Sequence, residues 1–323
     1  MRYVVYGAGA TGGVMGAALS RIGREVVLIA RGRHLEAIRE RGLTLRTPLE
    51  TVQTELGAVE RPEEIEFRED DAVLLTVKTQ DAFDALDDLR AAAGDNVPVV
   101  CAQNGVATER EALRRFRRVY GMVVRFPGML LEPGVVANYE PRGGGEIELG
   151  RCPEGLDDVA EQLAADLTAC GFDGQAEADV MRWKHEKLLI NVGSALAGVF
   201  GPGADTAAIR ERLVAETRAV LEATGIDLPT PEEALRLNRQ PRYDWAEIEG
   251  APPFASSLWQ GIQRGLRTAE TDYINGEVAL LGAHHGIETP YNRALNLLAN
   301  RCAREGTPPG TVTPADLEAL VTP

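Results

Sequence analysis

The chain has 323 residues, enough for two domains and a large core, and its 44% hydrophobic and 26% charged content is that of a globular protein. A net charge of −15 argues against nucleic acid or an anionic membrane as partner, since both call for a basic surface. No apolar run approaches the ~20 residues of a membrane span, and Cys101, Cys152, Cys170 and Cys302 lack metal-ligand spacing, as expected of buried thiols in a reducing cytoplasm.

Residues 3–6, Tyr-Val-Val-Tyr, form a β-branched and aromatic run suited to a buried strand at the start of the chain, where a signal peptide would read differently. Gly7-Ala8-Gly9-Ala10-Thr11-Gly12 follows, a G-x-G-x-x-G, and then a helical pattern through Val14, Ala17, Ala18, Leu19 and Ile22. In a dinucleotide-binding turn each glycine has a task. Gly7 permits the tight turn, Gly9 lets backbone approach a pyrophosphate, and Gly12 lets the helix pack close on the strand. The pyrophosphate would rest on the helix N-terminus, where free N–H groups and the dipole favour an anion. Strand, glycines and helix together predict a dinucleotide site in preference to a merely structural turn.

Residues 25–30 form the second strand. In a doubly wound fold its end lies beside the adenosine ribose, where an Asp or Glu would select NAD. This chain has Ala30-Arg31-Gly32-Arg33-His34 there. A guanidinium pairs with a 2′-phosphate, so the reading is NADP(H), with Arg31 the leading contact and Arg33 second; the alternative is a pair of solvated loop arginines.

Residues 42–59 read as hairpin-type strands and 61–69 as a charged loop or short helix. Residues 71–77 are a buried parallel strand with Lys78 at its carboxyl end. After a helix over 81–93, strand 97–102 ends in Gln103-Asn104-Gly105. Carboxyl ends of strands face the ligand crevice in open α/β sheets, so Lys78 and Asn104 are candidate binding residues, although Asn-Gly is also a turn dipeptide. An Arg-rich solvated helix over 109–118 follows; strands at 120–124, 135–138 and 145–149 then complete the sheet, with a helix over 155–169 and an edge strand at 172–176.

From residue 179 strand signals stop, which divides the chain into domains 1–177 and 178–323. A central helix over 181–200 is apolar on nearly every side from Leu188 onward, which means burial. Trp183, Lys187 and Asn191 recur on one stripe of it and Ser194 continues the stripe. Of 34 basic residues only Lys78, Lys184 and Lys187 are lysine. Where lysine persists in such a chain, a compact, titratable ammonium is the function to look for. A buried Lys187 beside Asn191 needs a partner, whereas Lys184, next to His185 and Glu186, reads as a surface lysine. Helices are expected at 206–224, 231–238, 256–270, 272–285 and 290–304, a loop at 239–253, and a peripheral tail with a short helix at 314–320. No Ser/His/Asp or metal constellation is visible, and His284-His285 read as a helix end.

The glycine turn, Lys78, Gln103-Asn104-Gly105, Trp183…Lys187-Leu-Leu-Ile-Asn191, Ser256-Ser257, Glu270-Thr-Asp272-Tyr-Ile-Asn275-Gly276 and His285-Gly286-Ile-Glu-Thr289-Pro290-Tyr-Asn292 together resemble the ketopantoate (2-dehydropantoate) 2-reductase family. The resemblance implies an α/β fold with an N-terminal Rossmann domain and an all-helical C-terminal domain, arranged as in 6-phosphogluconate dehydrogenase. It implies NADPH-dependent reduction of a 2-keto acid to a 2-hydroxy acid, with Lys187 as general acid and Glu270 holding that lysine and the substrate hydroxyl. Lys78, Asn104, Asn191 and Ser194 would line the site and Ser257 would meet the substrate carboxylate. Ser194 and Ala195 stand where that family carries a second Asn, and Ala269 where it carries Thr before the Glu. Ketopantoate, another keto acid or ketone, and a non-catalytic NADP(H)-binding role therefore remain open, and a homodimer is among the open assemblies.

Overall fold

The computed structural model describes residues 1–236 and 245–321. The chain packs as two units, Met1–Gln103 with Thr108–Met181 and Thr230–Phe254, and Asn104–Ala107 with Arg182–Pro229 and Ala255–Pro323. The sequence reading assigns residues 230–254 to the second domain. The described residues 245–254 are held to the first by Tyr139: its carbonyl accepts from the Ala246 N–H at 2.9 Å, its hydroxyl donates to the Pro252 carbonyl at 2.6 Å, and its ring lies 5.8 Å from that of Phe254. The part of the expected loop 239–253 before Trp245, and the end of the expected helix 231–238, lie outside the described residues.

The first unit begins with β1 (Arg2–Tyr6), α1 (Ala10–Arg21), β2 (Val26–Ile29), α2 (Gly32–Arg41), β3 (Leu43–Arg46), β4 (Thr51–Thr54) and β5 (Gly57–Val59). It continues through β6 (Asp71–Leu75), α3 (Thr79–Ala93), β7 (Val99–Cys101), α4 (Ala107–Leu113), β8 (Val119–Arg125), β9 (Gly128–Glu132), β10 (Val135–Asn138), β11 (Glu146–Arg151), α5 (Asp158–Ala169) and β12 (Asp173–Ala176). The main sheet has eight strands in the order β12-β11-β8-β7-β6-β1-β2-β5. Every residue of β1 and β6 is buried; after Arg2 and Asp71, which pair with each other at 2.6 Å, residues 3–6 and 72–75 therefore read as apolar runs. Tyr6 pairs with Ile29 and with Leu75, and Leu75 with Cys101, so β1, β2, β6 and β7 end level along one edge.

The sheet is not completed by residues 135–138 as expected. β10 instead joins a separate four-stranded sheet, β4-β3-β10-β9, running parallel to β3 and antiparallel to β9, a strand absent from the sequence reading. Its partner is some ninety residues away in sequence, and strand periodicity carries no information about partner choice. The helix expected at 109–118 is shorter, α4, and Glu109 on it is buried.

The second half contains α6 (Val180–Asn191), α7 (Leu196–Phe200), α8 (Ala207–Ala223), α9 (Pro231–Arg236), α10 (Ser257–Gln263), α11 (Asn275–His285), α12 (Pro290–Glu305) and α13 (Pro314–Val321). Leu188, Val192, Leu196, Val199, Leu213, Val220, Leu295 and Leu298 form the core of the helical unit. The expected single helix 181–200 is two helices. Side chains from elsewhere capture the carbonyls at the break: Asn275 Nδ2 donates to the Val192 carbonyl at 2.9 Å and Arg210 Nη2 to that of Gly193 at 3.3 Å. The Arg210 guanidinium lies 2.2 Å from where a Gly193 Cβ would stand, so a larger residue there would displace it from that carbonyl. The expected helix 256–270 likewise stops at Gln263, with Gly265 at φ +74 just beyond, and Glu270 opens a separate 3-10 turn, Glu270–Tyr273. Among the described residues no helix is long and apolar enough to cross a membrane.

One polar chain ties three helices, α11, α12 and α8. Asn275 Nδ2 donates to Asn292 Oδ1 at 2.9 Å, and Asn292 Nδ2 donates to Glu216 Oε2 at 2.8 Å. Glu216 accepts the backbone N–H of Tyr291 and of Asn292, at 2.9 and 3.0 Å. A carboxylate from α8 therefore caps α12 in place of its own N-cap, Thr289, whose side chain makes no cap bond. Asn292 is fully buried, so Asn292→Leu strands several buried polar groups and should cost about 2–4 kcal/mol in urea denaturation. A loss under about 0.5 kcal/mol would show that the chain does not carry the packing.

Candidate functional site

The first group of site residues stands at the level strand ends. Gly7 adopts φ +111, and Thr76, just after β6, donates its hydroxyl to the carbonyls of Gly7 at 2.8 Å and Tyr6 at 3.1 Å. Thr76 was missed by the sequence reading; its only signal is a hydroxyl at the end of an apolar strand. Gly12 is pinned: a Cβ there would lie 2.3 Å from both the Gly7 carbonyl and Thr76 Oγ1. Gly9 is the opposite, with nothing within 4 Å of a Cβ position. It is the N-cap of α1, where no side chain caps and no acidic residue occupies the first turn. The start of α1 thus keeps its positive dipole end uncompensated by any side chain, beside the open space at Gly9, which fits a pyrophosphate.

Arg31 is the exposed N-cap residue of α2, directly after β2, and Arg33 is exposed one residue into that helix. No carboxylate ends β2. Burial pushes the Tyr6 hydroxyl's pKa up, and nearby Arg31 partly opposes that shift. Lys78, half-buried, is the N-cap residue of α3. Gln103 is tied into the sheet, donating from Nε2 to the carbonyls of Leu75 at 2.9 Å and Val77 at 3.0 Å.

The second group lies in the helical unit. No residue of α6 is exposed. Trp183 and Asn191 are buried and Lys187 is half-buried on the same stripe. The Lys187 ammonium donates to Asn104 Oδ1 at 2.8 Å. Asn104 is held by its neighbour: Gly105 adopts φ +81, and a Cβ there would lie 2.5 Å from the Tyr273 carbonyl. The 3-10 turn that begins with half-buried Glu270 therefore backs the Asn104-Gly105 turn. Asn191, four residues past Lys187, has a buried Nδ2 with no hydrogen-bond partner, a donor left over for a ligand.

Two expectations are revised. Lys184 is buried, at 3% exposure, because α6 is covered along its whole length and not only from Leu188. Ser194 falls in the break between α6 and α7 and is exposed, so it does not extend the stripe. Ser256 caps α10, accepting from the Trp259 N–H at 3.4 Å, and Ser257, the expected carboxylate contact, is exposed at the first position of that helix.

The sequence pattern of the family described as ketopantoate reductase PanE/ApbA matches residues 3–154, and that of its C-terminal portion matches 179–301. The 2-dehydropantoate 2-reductase of Pyrococcus horikoshii is 29% identical over 302 residues, covering 90% of this chain and 94% of that protein. The 2-dehydropantoate 2-reductase of Archaeoglobus fulgidus is 27% identical over 303 residues, covering 91% and 95%. Among solved structures, a PanE/ApbA family ketopantoate reductase from Ralstonia eutropha JMP134 superposes with a TM-score of 0.78 at 28% identity, covering 95% of this chain and 99% of that one. A D-mandelate dehydrogenase, solved with NADH and anilino(oxo)acetate, shares the fold with a TM-score of 0.79 at 24% identity over 95% and 99%.

Proposed function

Because the chain belongs to the ketopantoate reductase family, and is an oxidoreductase acting on C=O and CH–OH groups, we propose that it reduces a 2-keto acid with NADPH, ketopantoate being the leading substrate. The observation that carries this reading is the Lys187 ammonium held by Asn104 at 2.8 Å, four residues before an unpartnered buried amide on Asn191.

When bound, NADPH supplies the hydride. Gly7, Ala8, Gly9, Ala10, Thr11 and Gly12 hold its pyrophosphate at the uncapped start of α1, and Arg31 pairs with the 2′-phosphate. Lys78 adds a cation at the strand-end edge, which a chain of net charge −15 must supply locally to hold anions. The Lys187 ammonium stabilises the negative charge that develops on the ketone oxygen as hydride arrives and then donates a proton to it, becoming the neutral amine. Asn104 fixes the direction of the ammonium by accepting one of its three N–H groups. Asn191 offers its free amide to the substrate; Glu270 and Ser257 complete the site by the family pattern. The setting is the cytoplasm, where the four cysteines stay thiols.

The test is NADPH oxidation by the purified protein against a panel of 2-keto acids that includes ketopantoate. Turnover of ketopantoate supports the reading, and turnover of none sinks it. A second reading keeps the chemistry and changes the acid. It is favoured by the exposed position of Ser194, which removes a polar contact from the stripe. Turnover of other 2-keto acids without ketopantoate would select it. For the cofactor, wild type should prefer NADPH over NADH, and Arg31→Ala should reduce that preference by about 10- to 100-fold through loss of a charge-assisted pair. Equal use of both cofactors by wild type would rule the contact out.

A further inference from the structure

His34, in the first turn of α2, makes two hydrogen bonds whose directions fix its chemical form. The Gly134 N–H donates to its Nδ1 at 2.9 Å, and Nε2 lies 2.6 Å from the Ala8 carbonyl oxygen. A backbone N–H can only donate and a carbonyl can only accept. His34 is therefore the neutral Nε2–H tautomer, donating to Ala8. Ala8 stands between Gly7 and Gly9, in the turn that precedes α1. Its carbonyl belongs to the same peptide plane as the Gly9 N–H, which donates to the Gly7 carbonyl at 2.8 Å. That plane is thus held at both ends, by His34 and by Gly7.

The anchor behind His34 is itself rigid. Gly134 adopts φ +83 in the turn between β9 and β10, and a Cβ there would lie 3.0 Å from the Ala37 Cβ on α2. The imidazole therefore bridges three segments: the β9–β10 turn, the start of α2 with Arg31, and the glycine turn.

We propose that His34 is a positioning residue for cofactor binding: by clamping the Ala8–Gly9 peptide from α2, it holds the pyrophosphate-binding turn in register with Arg31, so that one dinucleotide meets both. The inference rests on the reading that NADPH lies on the glycine turn. It requires no contact between His34 and the cofactor.

The test measures NADPH dissociation constants by fluorescence titration of the full-length protein, with thermal melting of the free protein alongside. His34→Ala, which removes both bonds, should weaken binding about tenfold, appearing as a raised KM for NADPH with kcat at saturation within about twofold. His34→Gln carries an amide N–H at the reach of Nε2 and should recover most of the affinity. His34→Asn carries an oxygen at the place of Nδ1, keeps the Gly134 bond and not the Ala8 bond, and should bind as weakly as the alanine variant. The Gln and Asn variants decide the matter should alanine fail to fold. Equal affinity of Gln and Asn, or a lowered kcat with unchanged KM, overturns the proposal, as does alanine binding as tightly as wild type. Failure of wild type to bind NADPH would instead overturn the cofactor reading and this inference with it.

Discussion

Alanine at position 187 is expected to lower kcat for keto-acid reduction by about 100- to 10,000-fold, the range for removal of a positioned general acid. The expectation follows from where the ammonium is held. It comes from a helix with no exposed residue and donates to Asn104 Oδ1 at 2.8 Å, which fixes its position. Arginine should not rescue it: a guanidinium holds its proton under all accessible conditions and is too bulky for the same place. Asn104→Ala should cost less, about 10-fold, since it frees the ammonium without removing it. The measurement is steady-state kcat and the primary isotope effect with deuterated NADPH for all three variants. If Lys187→Ala retains more than about a tenth of wild-type kcat with the isotope effect intact, the proton comes from elsewhere.

The parts of this site that a reader of the bare sequence can find are those encoded by neighbours. The glycine turn is visible because strand, glycines and helix follow one another within one short segment, and the α6 stripe because helical spacing brings Trp183, Lys187 and Asn191 together. What the sequence hides is decided by distant partners. The break after Asn191 depends on Asn275 and Arg210 reaching two carbonyls. The cap of α12 comes from Glu216 on α8, although Thr289 stands at the cap position with the right chemistry. Lys184 looks solvated beside His185 and Glu186 and is buried, because coverage of α6 is a property of the other helices. Sequence names both Lys187 and Asn104, but their hydrogen bond exists only because Gly105 lets its turn lie against Tyr273.

Two of the glycines should separate folding from binding. Gly12→Ala is expected to destabilise the protein without cofactor by about 3 kcal/mol, because its Cβ would lie 2.3 Å from the Gly7 carbonyl and from Thr76 Oγ1, and 2.8 Å from Val5 Cγ1. Two of those atoms belong to the glycine turn and its Thr76 clamp, so relief requires moving the turn off the sheet. Gly9→Ala meets nothing within 4 Å and its φ of −71 is open to any residue, so stability without cofactor should change by less than about 1 kcal/mol, mostly through the poorer N-cap. The same methyl group stands where a pyrophosphate must approach the backbone, and NADPH affinity should fall about 100-fold. Urea denaturation without cofactor and NADPH titration read the two effects independently. Unchanged NADPH affinity in a stably folded Gly9→Ala protein would mean that the open face of this turn is not where the dinucleotide lies. In that case the α1 N-terminus would lose its assigned ligand, while the strain at Gly12 would remain a matter of packing alone.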